Sequence, residues 1–114
     1  LIEEARALEM HERLATLHRG RFSPEQLLTA ATRHDSLGWT DAGALAVGGR
    51  ADLVAVRTDT ARTAGADPAQ ILLAATAADV DTVVVDGQPV VSGGRHRLGD
   101  VGALLGAAIE PLWR

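Results

Sequence analysis

The sequence contains no cysteine, no tyrosine and no lysine, and phenylalanine and tryptophan together account for three residues. Without cysteine the chain can form no disulfide, and it supplies neither a thiolate nucleophile nor a Cys-based zinc or iron–sulfur site. The absence of lysine excludes the Gly-x-x-x-x-Gly-Lys-Ser/Thr phosphate loop. With 114 residues, the chain is also too short for a (β/α)8 barrel of roughly 250 residues. A self-contained enzyme of that size is therefore excluded.

The charge and hydropathy patterns exclude two further classes. The net charge is -4, whereas a nucleic-acid-binding protein needs a basic face that neutralises phosphates. No apolar run approaches the roughly 18 residues that span a bilayer, and no secretory signal pattern is visible. Because Leu1 lies inside a helical pattern and is not an initiator methionine, we expect a piece of a longer cytoplasmic protein that binds neither nucleic acid nor membrane.

The first third of the sequence has the pattern of two helices. Apolar residues in 1–19 recur every three or four positions, which predicts an amphipathic helix that Gly20 ends. Four glutamates interleave with Arg6 and Arg13, an arrangement that favours surface ion pairs over catalytic carboxylates; they are Glu3, Glu4, Glu9 and Glu12. Ser23, Pro24 and Gln26 form a capping box that predicts a second helix to about His34. Together they predict a helical hairpin.

Turn and strand patterns follow. Four glycines between positions 38 and 49 predict a loop, and residues 51–56 (ADLVAV) predict a buried strand. Residues 57–66 form a polar loop, and Asp67-Pro68 begins a short helix that contains Ile71, Leu72 and Ala75. We interpret Asp52, at the start of the strand, as a hydrogen-bond acceptor for amides of the preceding glycine turn.

The strongest β pattern lies between positions 80 and 92. Two valine-rich runs joined by Asp86-Gly87 predict a hairpin with a type I′ turn. Pro89 places the returning strand at an edge or a start, because proline has no N–H for the ladder. Gly93-Gly94 closes the hairpin, and Asp100 caps a last helix that stops near Pro111.

These patterns divide the chain into three parts and predict a mixed α/β (α+β) fold. We expect an αα-hairpin over 1–36, a β-sandwich segment over 37–98 with the hairpin at 80–92, and a C-terminal helix over 99–114.

No catalytic constellation is visible. None of the four histidines has the spacing of a shared metal site; they are His11, His18, His34 and His96. A catalytic triad at His34, Asp35 and Ser36 is excluded because consecutive residues at a helix end cannot align a nucleophile, a base and an orienting group. We therefore expect no catalytic, cofactor-binding or metal-binding residue in this chain.

One combination of motifs indicates a protein family more specifically than any single motif does. Leu37-Gly38, residues 43–45 (GAL) and residues 47–56 (VGGRADLVAV) are followed by residues 83–91 (VVVDGQPVV). This order resembles the C-terminal end of the amidohydrolase superfamily. The resemblance implies the last helices of a metal-dependent (β/α)8 barrel, part of a composite β-sandwich and a C-terminal helix.

The leading helix narrows the resemblance. Residues 4–14 (EARALEMHERL) look like the helix that follows the last barrel strand in formimidoylglutamate deiminases, although Met10 stands where an aromatic residue is more usual. That resemblance implies hydrolysis of formimino-L-glutamate to N-formyl-L-glutamate with release of ammonia, in histidine degradation. It also implies a divalent metal, zinc, held by His and Asp ligands upstream of Leu1, and a small-molecule substrate.

Two alternatives stay open at this point. The parent could be another amidohydrolase, of the guanine deaminase, cytosine deaminase or imidazolonepropionase type, or the chain could be a non-catalytic structural or oligomerisation module. Since a partial sheet leaves exposed strand edges, we also expect a homodimer.

Overall fold

The structure is a computed structural model that describes residues 2–113. It combines four α-helices, short 3-10 turns and one four-stranded antiparallel sheet with strand order β1-β2-β3-β4. The helices are α1 (Ile2–Thr16), α2 (Pro24–Thr32), α3 (Ile71–Ala74) and α4 (Val101–Ile109). The strands are β1 (Leu53–Val56), β2 (Val80–Val85), β3 (Gln88–Ser92) and β4 (Arg95–His96). The mixed α/β class predicted from the sequence is confirmed.

Helix α1 ends at Thr16, three residues earlier than the prediction. Leu17 adopts the left-handed conformation with φ of 59°, which a helical residue cannot keep. The Leu17 amide still donates to the Arg13 carbonyl at 2.9 Å, so the chain leaves the helix at this residue. Gly20, the predicted end, lies in the connection to α2 and also has a positive φ, of 71°.

Helix α2 begins as predicted and ends two residues early. The Gln26 amide donates to Ser23 Oγ at 3.2 Å, and the Ser23 amide donates to Gln26 Oε1 at 2.8 Å. These two bonds form the predicted capping box, with Pro24 at the first helical position. Helices α1 and α2 pack against each other, and α3 packs against both. Leu27 of α2 is fully buried in this junction.

The β2–β3 hairpin forms as predicted. Asp86 and Gly87 have φ values of 50° and 75°, the two positive angles that a type I′ turn requires. Pro89 is the second residue of β3, in the part of the strand that β4 does not reach, because β4 pairs only with Val91 and Ser92. Gly93 and Gly94 do not end the sheet; they form a second tight turn that leads into β4, which the sequence pattern did not predict.

Strand β1 is an edge strand and not the buried strand that its composition suggested. Its pattern is exposed at Leu53, Val54 and Ala55, with Val54 56% exposed. It pairs only with β2, from Leu53 opposite Val84 to Val56 opposite Val80. A run of apolar residues therefore marked a strand correctly but did not reveal that both its faces lack a covering layer.

The molecule encloses few side chains and spreads widely. Among the described residues, Ala5, Leu27 and Ala75 are the buried apolar side chains. The radius of gyration is 16.8 Å, whereas a compact domain of this length has about 13 Å. The accessible surface is 8558 Å², against about 6,000 Å² for a folded monomer of this mass. Large apolar faces thus remain uncovered.

Candidate functional site

The histidines lie on separate parts of the surface. His11 and His18 are exposed, on α1 and just after it. The Nδ1–H of half-buried His34 donates to the Thr32 carbonyl at 2.6 Å, and the Leu98 amide donates to His96 Nδ1 at 3.1 Å. In residues 2–113, no three His, Asp or Glu side chains come together in a way that could hold a metal ion.

Asp52 caps the far end of the sheet and not the glycine turn. The Asp86 amide donates to Asp52 Oδ1 at 2.6 Å, across 34 positions of the sequence. Next to it, the Gly87 amide donates to the Ala51 carbonyl at 2.9 Å. The prediction for Asp52 was therefore wrong in its partner. A type I′ turn leaves amides without ladder partners, and this carboxylate reaches one of them.

The glycine-rich loop is fixed to the same hairpin by Arg50. Its guanidinium lies 4.2 Å from the centre of the Trp39 ring, a distance typical of a cation–π contact. Arg50 Nη2 pairs with Asp41 at 3.1 Å, and Nη1 lies 3.7 Å from Asp86. Arg50 Nε is buried and has no hydrogen-bond partner. Arg50 thus ties the loop to the β2–β3 turn.

Glu9 closes the connection between α1 and α2. Its two carboxylate oxygens accept the amides of Gly20, Arg21 and Phe22 at 2.7, 3.2 and 2.9 Å. The bond from the Phe22 amide contributes most to holding the pKa of Glu9 below its ordinary value. Glu9 therefore has a further role beside the surface ion pairing expected from the sequence: the charge of Arg13 also lowers its pKa, and Glu3 and Arg6 form an ion pair.

The most heavily bonded side chain is Asp79, which sequence reasoning did not single out. Asp79 is fully buried. It accepts two hydrogen bonds from Arg62, from Nε and Nη2, each at 2.8 Å. It also accepts Thr60 Oγ1 at 2.8 Å, the Thr76 amide at 2.8 Å and Thr76 Oγ1 at 3.1 Å.

This environment stabilises the ionised carboxylate. The hydrogen bonds from Arg62 are the largest cause, and they hold the pKa of Asp79 far below its ordinary value although burial acts in the opposite direction. One local pattern could have revealed part of the cluster: Thr76 and Asp79 stand in the Ser/Thr-x-x-acid spacing of a capping box. Arg62 and Thr60 are 17 and 19 positions away, which no short motif encodes.

The surface of the described residues has two open pockets. One, of about 550 Å³, lies between the β3–β4 turn and the start of α4, beside His96 and Asp100. The other, of about 350 Å³, lies beside Trp39 at the end of α2 and includes His34 and Gly43. Among the hydrogen bonds described for their lining residues, none joins a nucleophile, a base and an orienting group as in a catalytic triad.

Comparisons with known proteins identify the family. The sequence profile of the amidohydrolase family matches residues 1–90. The chain therefore belongs to the amidohydrolase family, and its fold is that of part of such a protein. No curated protein matches the chain in a sequence search.

Among solved structures, the chain is similar to atrazine chlorohydrolase from Arthrobacter aurescens. The zinc complex of that enzyme is 29% identical over 96% of this chain and 26% of its own, with a TM-score of 0.82. A variant complexed with zinc and atraton gives 29% identity, the same two coverages and a TM-score of 0.81. The chain thus spans about a quarter of the length of these proteins.

The residues of this chain do not fit the metal that the family implies. A zinc site needs three or four convergent His, Cys or carboxylate ligands, and the described residues form no such group. The carboxylate with the most partners, Asp79, has both oxygens occupied by Arg62 and threonine donors.

Among the described helices, none is long and apolar enough to cross a membrane.

Proposed function

We propose that this chain forms the C-terminal region of a longer metal-dependent amidohydrolase and serves there as a packing and positioning element. In this proposal the catalytic residues and the ligands of a divalent metal, zinc, belong to the rest of that protein. Membership of the amidohydrolase family supports the hydrolase class, and the zinc-complexed neighbours support the metal. We further propose that the parent is cytoplasmic.

The uncovered surface is the observation that carries the proposal. The chain exposes about 2,600 Å² more than expected for a folded monomer of its mass, the size of a large obligate interface. On α1, the exposed side chains Met10 and Leu14 lie four positions apart on one face, and Leu17, just after the helix, is exposed as well. On α4, Leu104 and Leu105 are 54% and 57% exposed. Apolar faces of this extent are features of an interface.

The neighbours indicate what could cover these faces. They are about four times as long as the part that this chain matches. Three quarters of such a chain contains enough polypeptide for a (β/α)8 barrel and further strands. We therefore propose that α1, α2 and the exposed edge of β1 pack on that remainder of the same polypeptide.

For the substrate we propose formimino-L-glutamate, hydrolysed to N-formyl-L-glutamate with release of ammonia, in histidine degradation. The support is the resemblance of residues 4–14 to the corresponding helix of formimidoylglutamate deiminases. Other amidohydrolase substrates form the alternative: guanine, cytosine, imidazolonepropionate or, by similarity to the solved neighbours, a chlorinated triazine such as atrazine.

Activity assays of the intact enzyme test the substrate proposal. The enzyme that carries this chain, loaded with zinc, should release ammonia from formimino-L-glutamate faster than from guanine or cytosine. It should release no chloride from atrazine. A preference for any other compound of this set would overturn the formimino-L-glutamate proposal while leaving the hydrolase class intact.

A second assay tests the role of the chain itself. The 114-residue chain alone should bind no stoichiometric zinc and turn over none of these substrates. Zinc bound at one equivalent, together with turnover by the chain alone, would overturn the proposal that catalysis belongs to the rest of the protein. If no coding sequence for a barrel adjoined this one, the alternative of a stand-alone structural module would replace the proposal.

We also propose that the parent is a homodimer. The apolar helix α4 is not assigned to the contact with the rest of the polypeptide and is exposed in this chain, and such a surface commonly forms the contact between two copies. Sedimentation of the intact enzyme as a monomer over a wide concentration range would overturn this proposal.

A further inference from the structure

Asp79 accepts hydrogen bonds from two different segments on one buried carboxylate. Arg62 and Thr60 come from the polar loop of residues 57–66, which we call the strap. Thr76 comes from the segment that follows α3, and Asp79 itself directly precedes β2. Five hydrogen bonds, two of them from a guanidinium, make this a charge-assisted cluster with both carboxylate oxygens occupied.

Hydrogen bonds order the strap from its start to its end, in addition to those that Thr60 and Arg62 donate to the anchoring carboxylate of Asp79. At its start, the Arg57 amide donates to the Asp79 carbonyl at 2.8 Å. In its middle, Thr63 is fully buried, and its hydroxyl oxygen lies 2.9 Å from Thr60 Oγ1. At its end, the Ala66 amide donates to the Thr63 carbonyl at 3.0 Å, with Gly65 at a positive φ. The strap is therefore an ordered turn although its sequence is polar and rich in small residues.

The anchor lies where the two halves of the molecule meet. The strap leaves the end of β1, and Asp79 enters β2, so both attach to the sheet. On the other side, α3 ends just before Thr76 and packs on α1 and α2. Ala75, between α3 and Thr76, is fully buried. Residues 57–79 therefore form one of two connections between the helical hairpin and the sheet; the other is the glycine-rich loop, whose Arg50 pairs with Asp86.

From this arrangement we infer that Asp79 is a positioning residue, the anchor that holds the strap closed and fixes the helical hairpin relative to the sheet. The anchor depends on charge and geometry together, because a carboxylate can accept all five bonds and a neutral amide of the same shape cannot. In the proposed intact enzyme the hairpin would pack on the catalytic barrel. The anchor would then register the sheet on that barrel without touching the reacting atoms.

The carboxylate of Asp52, which directly precedes β1, offers a matched control. It accepts one backbone amide, that of Asp86, at the opposite end of β2. Its loss should loosen the β2–β3 turn and leave the strap unchanged. The two carboxylates therefore predict two different local effects.

Amide hydrogen exchange of the intact enzyme, followed by mass spectrometry, tests the inference. In Asp79→Asn, amides of residues 60–66 and Thr76 should exchange at least about tenfold faster, while amides 86–87 keep their rates. In Asp52→Ala, which removes the acceptor of the Asp86 amide, the pattern should reverse. Exchange is read without substrate, so its outcome is independent of the substrate proposal.

A distance measurement tests the positioning itself. Spin labels on cysteines introduced at Glu25 in α2 and Gln88 in β3 report the separation of hairpin and sheet. Both positions are exposed, and this chain has no cysteine of its own. The distance distribution should broaden in Asp79→Asn and stay as in the unsubstituted enzyme in Asp52→Ala.

Two results would overturn the inference: unchanged strap exchange and distance in Asp79→Asn, or a uniform rise in exchange that includes the β2–β3 ladder, which would indicate only lower global stability. If Asp79→Asn does not fold, Thr76→Val provides the same test. It removes the 3.1 Å bond from Thr76 Oγ1 and keeps the charge of Asp79. Strap exchange should then rise by a smaller factor, and an unchanged rate would overturn the inference.

Discussion

Residues 52–96, which we call the sheet region, and helix α4 differ in the contacts that stabilise them. The sheet region, although it buries little apolar surface, satisfies its polar groups internally: Asp52 caps a turn and Asp79 anchors the strap. Helix α4 is apolar from Val101 to Ile109, every residue of it is exposed, and its main packing partner is the 3-10 turn that follows it. The sheet region holds its local shape by polar contacts, whereas α4 needs a surface to cover it.

This difference indicates that the geometry of the fold and its stability come from different parts of the chain. Hydrogen bonds that converge on a buried charge define one geometry, because donors and acceptor must meet at fixed distances. Apolar burial supplies most of the folding free energy but is not directional. The chain therefore carries its geometric information in the sheet and strap, and α4 would gain stability when its apolar surface is covered.

The largest expected effect concerns α4. Replacing Leu104 and Leu105 together by alanine should lower the free energy of unfolding of the intact enzyme by about 4 kcal/mol or more, because covered leucines lose both transfer energy and packing. In the 114-residue chain, where both are exposed, the change should stay within about 1 kcal/mol. Denaturant unfolding of both proteins measures the difference. Equal small changes in both would show that nothing covers α4, and the comparison would fail.

A second substitution tests how the glycine loop meets α2. In Gly43→Ala, the new Cβ would overlap the Thr32 carbonyl oxygen, at a φ of 97°. We expect a loss of about 3 kcal/mol from steric overlap and backbone strain. Gly48→Ala is the control, since φ is 85° there but no atom lies within 4 Å, and it should cost about 1 kcal/mol. Equal losses in thermal unfolding would show that the loop does not contact α2.

Acid should affect the sheet region before it affects α4. The pKa of Asp79 is lowered in the folded protein, chiefly by Arg62, so its contribution to stability is complete above the ordinary carboxyl value of about 3.9 and is lost as the pH falls below it. The pKa of Glu9 is also lowered, and its contribution is lost in the same direction. Thermal unfolding as a function of pH should show this decline, and Asp79→Asn should flatten it. An equally steep decline in Asp79→Asn would contradict the assignment.

The smallest effect serves as a reference outside both regions. Ser23→Ala removes the side-chain half of the capping box of α2 and should cost about 1 kcal/mol. Hydrogen exchange should rise at the first turn of α2 and stay unchanged in the strap and in α4. A simultaneous rise in the strap would mean that the helical hairpin and the sheet open as one unit.

Local patterns predicted the elements whose causes are local. The capping box at Ser23 and Gln26, the Asp86-Gly87 turn and the Asp100 cap, which accepts the Ala103 amide at 2.9 Å, all formed as expected. Each depends on residues within three positions of one another. The short helix after Asp67 also formed, preceded by a 3-10 turn over Pro68–Gln70.

The local sequence patterns did not predict hydrogen bonds between residues that are far apart in the sequence. The bonds of Glu9 span up to 13 positions, those between Arg62 and Asp79 span 17, and that between Asp52 and Asp86 spans 34. A charged residue in a helix or loop pattern is most often solvated, so Glu9 was interpreted as a surface residue and Asp52 as a local hydrogen-bond acceptor, and the pair of Arg62 and Asp79 was not predicted. The exposure of β1 was not predicted either, because composition predicts a strand but not whether another layer covers it. The division into parts 1–36, 37–98 and 99–114 stays a prediction.

The contact between Arg50 and Trp39 gives the protein a built-in optical reporter. The chain has two tryptophans: Trp39, under the Arg50 guanidinium, and Trp113, which is 83% exposed. A charge held against an indole face shifts its emission, so release of Arg50 from Trp39 and Asp86 would change the spectrum of Trp39. In a Trp113→Phe background, the fluorescence of this chain would follow the docking of the glycine loop onto the hairpin, without any attached dye.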